Sequence, residues 1–165
     1  DVLGQAMGRF LDDPEACLQP GNPTLSELIY GWGNEAWSAR EEFLASCIKY
    51  ALTATGPILE CGSGLSTVLI AAIFKRQNQP HWVLEHKPEW AMRVQTYLGG
   101  YGLHTQITTC ALKDYGEFYW YDAPLTQFPK HFSMVVCDGP PSRTKAGRYG
   151  LVPVMRKHRA SGCVI

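Results

Sequence analysis

The sequence predicts an α/β protein, a three-layer α/β/α sandwich in which helices cover a mostly parallel sheet on both faces. From residue 57 onward, short apolar runs of strand length alternate with longer segments whose apolar residues recur at helical spacing. The short runs are mostly apolar, as expected for parallel strands that are buried on both faces. The chain has 165 residues, which is the size of one domain.

The N-terminal part of the chain differs from the rest. Residues 1–37 are interrupted by prolines and glycines, and we expect a partly helical extension that precedes a domain over residues 38–165. Residues 38–41 read SARE, which has the form of a capping box, so a helix is predicted to begin at Ser38. Gly56 and Pro57 are predicted to end it.

The remaining elements follow in alternation. The predicted strands are PILEC (57–61), HWVLEH (81–86), TQITTCAL (105–112), HFSMVVCD (131–138) and SGCVI (161–165), and the predicted helices between them are STVLIAAIFK (66–75) and KPEWAMRVQTYLGG (87–100). Because the fifth strand runs to the last residue, we expect the C-terminal strands of the fold to be absent from this chain.

Composition narrows the class of protein. Fifteen basic and fifteen acidic residues balance to a net charge of zero without a basic block, which argues against nucleic acid as a partner. No apolar stretch approaches the roughly 20 residues of a membrane span, and the first residues lack the layout of a signal peptide. None of the six cysteines forms a C-x-x-C pair, so reduced thiols in a cytoplasmic protein are expected.

The main functional signal is the segment ILECGSGLST (58–67), a glycine-rich turn directly after the first predicted strand. In a doubly wound sheet this position lies at the switch point where ligands bind. A phosphate there would face the carboxylate of Glu60, which has the wrong charge. The dinucleotide pattern G-x-G-x-x-G would also need glycine at position 67, where this chain has Thr67.

The pattern E-x-G-x-G-x-S over residues 60–66 resembles the first motif of class I S-adenosylmethionine-dependent methyltransferases, with Ser66 in place of the usual third glycine. The resemblance implies a Rossmann-like sheet and S-adenosylmethionine as cofactor. It also implies that Glu60 attracts the cofactor ammonium, directly or through water, and that the turn lines the cofactor site through Gly62, Ser63, Gly64 and Ser66.

The ends of the next two strands supply further candidates. Glu85 ends the second strand, where the resemblance implies an acid that accepts hydrogen bonds from both ribose hydroxyls. NAD-binding domains use an acid in the same way, so Glu85 alone does not discriminate between cofactors. The resemblance also places His86 beside the adenine or ribose, and Ala111 and Leu112 beside the adenine.

After the fourth strand, CDGPP (137–141) resembles a subgroup of these methyltransferases that also has the motif ECGSGLST. Asp138 lies where methyl transfer occurs in this class. A general base, a metal ligand, a substrate anchor and a purely structural turn residue are open roles for it. One aspartate is too little for a magnesium site, and no metal is predicted.

Three segments are candidates for contact with a substrate. YGWGNEAW (30–37) is either a lid that faces the cofactor through Asn34, Trp37 and Ser38, or a turn that leads into the next helix. Arg148 and Tyr149 either recognise an anionic substrate or belong to a solvated loop. The aromatic run EFYWYD (117–122) lines a pocket or covers the edge of the sheet.

These observations predict methyl transfer to an unidentified acceptor, with an oxygen atom of a small molecule as the default. A small-molecule substrate is favoured over a macromolecule. Two alternatives are open. The first is a module that binds S-adenosylmethionine without catalysis. The second is an NAD(P)-dependent oxidoreductase, which Glu60 and Thr67 disfavour.

Overall fold

The structure, a computed structural model, describes residues 1–33 and 39–165. Within these ranges the helices are α1 (Val2–Asp12), α2 (Thr24–Trp32), α3 (Glu41–Thr53), α4 (Leu65–Gln77), α5 (Pro88–Gly100) and α6 (Leu151–Met155). The strands are β1 (Ile58–Cys61), β2 (His81–Glu85), β3 (Gln106–Thr109), β4 (Leu112–Asp114), β5 (Tyr119–Tyr121), β6 (Phe132–Cys137) and β7 (Arg159–Val164). Short 3-10 turns lie at Ala16–Leu18, Leu125–Gln127 and Arg156–His158.

Five strands form the central sheet in the order β3-β2-β1-β6-β7, and each neighbouring pair is parallel. The order reverses between β1 and β6, which makes that position the switch point of a doubly wound sheet. β4 and β5 form a separate antiparallel pair. The predicted α/β fold with a mostly parallel sheet is therefore confirmed.

The two faces of the sheet are covered differently. Ile58 of β1 packs into the apolar cluster formed with α1 to α5, whereas Leu59 packs into a second cluster on the other face. That second cluster is filled by aromatic side chains of the β4–β5 hairpin, including Trp120, and by Leu151 and Met155 of α6. One face is thus covered by long helices, and the other by a hairpin and one short helix.

The N-terminal helices belong to the first of these clusters. Met7 and Phe10 of α1 and Leu28 of α2 are fully buried in the same cluster as Ile48 of α3 and Leu69 of α4. The boundary between an extension and a domain at residues 37 and 38 stays a prediction.

In the described parts of the chain, no helix has the length and apolar character needed to cross a membrane.

Helix α3 has the predicted buried face but not the predicted start. Its N-cap is Arg40, and Glu41 is the first helical residue instead of the third, so the capping box prediction was wrong. Ser38 lies outside the described residues. Glu41 and Glu42 in the first turn explain a start at this point, since acidic side chains interact favourably with the helix N-terminus.

The third predicted strand is also shorter than its apolar run. β3 ends at Thr109, and Leu112 already belongs to β4, which pairs with β5. Gly116, with a φ of 88°, and the bond from its amide to Asp114 Oδ1 (2.7 Å) form the turn between β4 and β5. The chain therefore leaves the central sheet after Thr109, and two residues later it begins the separate β4–β5 hairpin.

All six cysteines have free thiols. Burial raises the pKa of the Cys47 thiol to about 12 and that of Cys17 to about 11. At neutral pH these two side chains are protonated and behave as small apolar groups.

Candidate active site

A cavity of about 680 Å³ opens at the carboxyl ends of β1, β2 and β6, at the switch point of the sheet. Its volume is typical of a site for a small molecule. The glycine turn after β1 and the first turn of α4 form one side, and the segment after β6 forms the other. The side chains of Trp32 and Trp90 complete the lining near α2 and α5.

The base of the cavity is a contact between two backbones. Gly62 has a φ of 87°, and a Cβ at this position would lie 2.9 Å from the amide nitrogen of Gly139. Gly139 donates a hydrogen bond from this amide to the carbonyl of Cys61 (2.6 Å). A side chain at position 62 would push the two loops apart, which is the physical reason for glycine here.

The amide N–H groups of the turn are already bonded within the chain. Gly62 donates to the carbonyl of Leu84 (2.8 Å), and Ser63 donates to Glu85 Oε2 (2.9 Å). Gly64 donates to Oγ1 of the buried Thr67 (3.0 Å), the residue that replaces the third glycine of a dinucleotide pattern. These three amides are therefore not available to cradle a phosphate group.

Glu85 lies against this turn at the end of β2, and only 3 % of the residue is exposed. Its Oε2 accepts from the amide and the hydroxyl of Ser63 (2.9 and 2.8 Å), and its Oε1 accepts from the amides of His86 and Lys87 (2.8 and 3.0 Å). These bonds use both oxygens of the carboxylate. Of the four donors, only the Ser63 hydroxyl can rotate away to make room for a ligand hydroxyl.

Glu60 is fully buried and is not among the residues that line the cavity. Strand alternation directs its side chain toward α4, where it accepts a hydrogen bond from the Ser66 hydroxyl and lies 3.1 Å from His81 Nε2. The structure thus does not bring Glu60 into direct contact with a ligand in the cavity. Ser66 does line it, and connects the buried carboxylate to the site.

Asp138 and Arg148 face the glycine turn across the cavity and form an ion pair of 3.1 Å between Asp138 Oδ1 and Arg148 Nη2. Arg148 also donates to the backbone carbonyls of Asp138 and Pro140, so it fixes the loop after β6. Partial burial raises the pKa of the Asp138 carboxyl above its ordinary value, and the positive charge of Arg148 offsets part of this effect.

Several residues predicted from the sequence lie in the cavity and others do not. Gly62, Ser63, Gly64, Ser66, Glu85, His86, Asp138 and Arg148 line it. Ala111 and Leu112 do not, because the chain has already turned into the β4–β5 hairpin at this point. Tyr149 is 57 % exposed and packs edge-on against Phe118 outside the cavity. Trp37 and the predicted lid face, Asn34 and Ser38, lie outside the described residues.

The aromatic lining of the site was predicted in part: Trp32 lies in the segment 30–37 that was singled out, whereas Phe43 and Trp90 were not predicted as site residues. Trp90 lies in the first turn of α5 and donates from its indole N–H to the carbonyl of Ser63 (2.6 Å). Trp32, at the end of α2, packs edge-on against Trp90 with 6.3 Å between the ring centroids. A tryptophan two residues after Pro88 could have been recognised, since the first turn of a helix that follows a parallel strand lies at the ligand edge of the sheet. Tyr121 belongs to the aromatic run EFYWYD (117–122), for which the sequence left a pocket or the edge of the sheet open, and it lines the cavity.

The described residues contain no group of three or more His, Cys, Asp or Glu side chains that could hold a metal ion.

No family model matches the chain, and no curated protein matches it. Among solved structures, the chain is similar to the crystal structure of the methyltransferase PaMTH1 of Podospora anserina with S-adenosylhomocysteine (SAH) bound. The TM-score is 0.54 at 17 % sequence identity, over 99 % of this chain and 61 % of that one. The chain thus spans about three fifths of the length of PaMTH1, and the two proteins share the fold.

Proposed function

We propose that the cavity binds S-adenosylmethionine and that the protein transfers its methyl group to a small-molecule acceptor, by default to an oxygen atom. The observation that supports this most strongly is the state of the glycine turn, whose amides at Gly62, Ser63 and Gly64 are all bonded within the chain and leave none for a pyrophosphate. The buried carboxylate of Glu85 beside this turn suits a pair of vicinal hydroxyls. Together they favour a ligand that has a ribose but no phosphate.

The structural likeness to PaMTH1 supports the same ligand. The structure of that protein contains S-adenosylhomocysteine, the demethylated product of S-adenosylmethionine. Because the two chains share a fold, a ligand at the switch point of this chain would meet the same ends of strands. The particular contacts of the present chain are argued from its own residues.

In the proposed complex Glu85 would accept hydrogen bonds from the ribose hydroxyls, and the Ser63 hydroxyl would rotate away from Oε2 to make room. Gly64 and Ser66 would hold the amino-acid part of the cofactor. Trp90 holds the turn in shape through its bond to the Ser63 carbonyl. Glu60 acts on the ammonium group through Ser66 or a water molecule, since it is buried beneath the cavity.

When bound, the cofactor supplies a methyl group on a positively charged sulfur atom. The main task of the protein is then to align the acceptor with that group. Asp138 lies on the opposite wall and is the proposed base that removes the proton of an acceptor hydroxyl, or the anchor that holds it. Arg148 positions this carboxylate through the ion pair.

Calorimetric titration of the wild type with S-adenosylmethionine, S-adenosylhomocysteine and NADH tests the cofactor. We expect binding of the first two only. The variant Glu85→Gln keeps the shape of the side chain but replaces one acceptor oxygen by a donor, so we expect at least a tenfold loss of affinity, about 1.4 kcal/mol. The control is Glu15→Gln, an exposed residue outside the cavity, which should bind as the wild type does.

Binding of NADH without S-adenosylmethionine would contradict the proposal and favour an oxidoreductase. Binding of S-adenosylmethionine without turnover over a broad panel of acceptors would support the proposed cofactor but contradict the proposed methyl transfer. It would favour a binding module without catalysis.

A further inference from the structure

The side chain of Tyr121 is the most unusual polar group in the cavity. Tyr121 is fully buried, lines the cavity, and its hydroxyl has no hydrogen-bond partner among the described residues. A buried hydroxyl without a partner destabilises the folded protein, so such a group needs an explanation. The indole N–H of Trp120 is also buried without a partner, but Trp120 does not line the cavity.

The surroundings of Tyr121 locate its hydroxyl beside the loop after β6. A Cβ on Gly139 would collide with the hydroxyl oxygen, so the group lies directly against the loop after β6. The Tyr121 ring packs edge-on against the His86 ring, with 6.2 Å between the centroids. The hydroxyl therefore lies between the end of β2, which provides Glu85, and the loop that provides Asp138.

A second buried polar atom, on the ring of His86, also lacks a hydrogen bond within the described residues. Nδ1 of His86 is buried and forms no aligned hydrogen bond within the described residues, although Glu85 Oε1 lies 3.2 Å away. Two buried polar atoms that form no hydrogen bond within the described residues lie on neighbouring rings of one cavity, which indicates that a polar ligand completes their hydrogen bonds.

The chemistry of the phenol defines what it binds. Burial raises the pKa of the Tyr121 hydroxyl, and the negative charge of the nearby Glu85 raises it further. The hydroxyl is therefore protonated at neutral pH, and it can donate to an oxygen or an sp² nitrogen. An apolar ligand would leave the Tyr121 hydroxyl without a hydrogen-bond partner.

We infer that the Tyr121 hydroxyl donates a hydrogen bond to the nucleoside part of the cofactor, to a ribose oxygen or a ring nitrogen of the base. This inference rests on the proposed function, because it takes Glu85 as the ribose site. The contact of Tyr121 with His86, the residue after Glu85, favours the nucleoside over the amino-acid part. Tyr121 is then a specificity-determining residue supplied by the β4–β5 hairpin.

The test compares Tyr121→Phe with Tyr119→Phe, a control on the same strand that does not line the cavity. Each protein is titrated with S-adenosylhomocysteine and with 5′-methylthioadenosine, which has the nucleoside but lacks the amino-acid part. We expect Tyr121→Phe to weaken both ligands by the same factor, roughly 5- to 10-fold, and Tyr119→Phe to weaken neither.

The melting temperature of the ligand-free protein gives a second measurement. Removing a hydroxyl that has no partner should raise it for Tyr121→Phe, whereas removing a hydroxyl with a structural role should lower it. If Tyr121→Phe melts at a higher temperature than the wild type without ligand but binds the ligand more weakly, the Tyr121 hydroxyl serves ligand binding and not the stability of the fold.

Unchanged affinity for both ligands would overturn the inference and leave the proposed function intact. A loss with S-adenosylhomocysteine alone would place the hydroxyl at the amino-acid part and would likewise overturn it. If the wild type binds neither ligand, the proposed function and the inference both fail.

Discussion

At the scale of single residues, Gly62 and Gly64 of the turn differ in backbone conformation and in the space around their Cβ positions. Gly62 has a φ of 87° and no room for a Cβ, whereas Gly64 has an extended φ of 177° and open space at its Cβ position. Both line the cavity. The first glycine is required by the fold, and the second leaves space for a ligand.

The variants Gly62→Ala and Gly64→Ala should therefore fail in different ways. We expect Gly62→Ala to lower the free energy of unfolding by about 1–3 kcal/mol, because alanine is strained at this φ and collides with Gly139. Gly64→Ala should unfold as the wild type does but bind S-adenosylmethionine more weakly. Urea denaturation and calorimetry measure the two effects. Equal stability of the two variants would contradict the assigned roles.

Asp138 gives a prediction about pH. Its folded-state pKa is raised, so between the ordinary and the raised pKa the folded protein binds more protons than the unfolded chain. Stability from this residue is then fully present below the ordinary pKa and is lost as pH rises through the folded pKa. Asp138→Asn removes this loss, and its melting temperature relative to the wild type should increase as pH rises through that window.

The same variant tests the proposed base. Turnover should fall in Asp138→Asn, while Asp122→Asn, in the more exposed ion pair with Lys113, should retain it. Full turnover of Asp138→Asn with unchanged affinity for the cofactor would exclude a role for Asp138 in the reaction.

At the scale of elements, Arg93 of α5 joins α2 to the site. Its guanidinium lies 4.9 Å from the ring centroid of Trp90 and 5.7 Å from that of Trp32, and it donates to the carbonyl of Trp32 (3.3 Å). Trp32 ends α2 and also lines the cavity. Arg93 therefore adds a polar contact between α2 and the cavity to the apolar packing of the N-terminal helices.

Arg93→Gln should loosen this contact. Because Arg93 is exposed, we expect a loss of about 0.5–1 kcal/mol from the cation–π contacts, together with faster hydrogen exchange in α2. Arg156→Gln is the control, since Arg156 is an exposed arginine of the turn after α6. Unchanged exchange in α2 would mean that apolar packing alone holds this helix.

Elements with a local signal were predicted from the sequence, and the hairpin was not. β1, α4, β2, α5 and β6 follow from apolar runs bounded by turns, and the structure confirms them. β4 and β5 have three residues each, and their partner is decided by the turn at Gly116 and not by periodicity. Tyr121 belongs to the aromatic run 117–122, for which a pocket and the edge of the sheet were both open, and the choice could not be made from the sequence because only the folded hairpin brings Tyr121 to the end of β2.

At the scale of the whole molecule, one apolar cluster extends from α1 to the central sheet. Phe10 of α1 is fully buried in it, together with Ile58 of β1. Although the sequence suggested an extension that precedes a domain, this packing indicates that both unfold together.

Phe10→Ala should therefore lower the stability of the entire chain, by about 3–5 kcal/mol, in a single transition. Val2→Ala, an exposed residue of the same helix, should have little effect. Thermal unfolding followed by circular dichroism and by tryptophan fluorescence makes the comparison. Two separate transitions, of which only one shifts in Phe10→Ala, would show that the N-terminal helices are an independent unit.

The contact between Gly62 and Gly139 also decides how the site can be redesigned. Two main chains touch at the base of the cavity with no side chain between them, so no substitution there makes the site deeper. The walls, by contrast, consist of side chains such as Phe43, Ser142 and Arg148. Engineering for a larger or differently charged acceptor should therefore vary these walls and leave the base untouched.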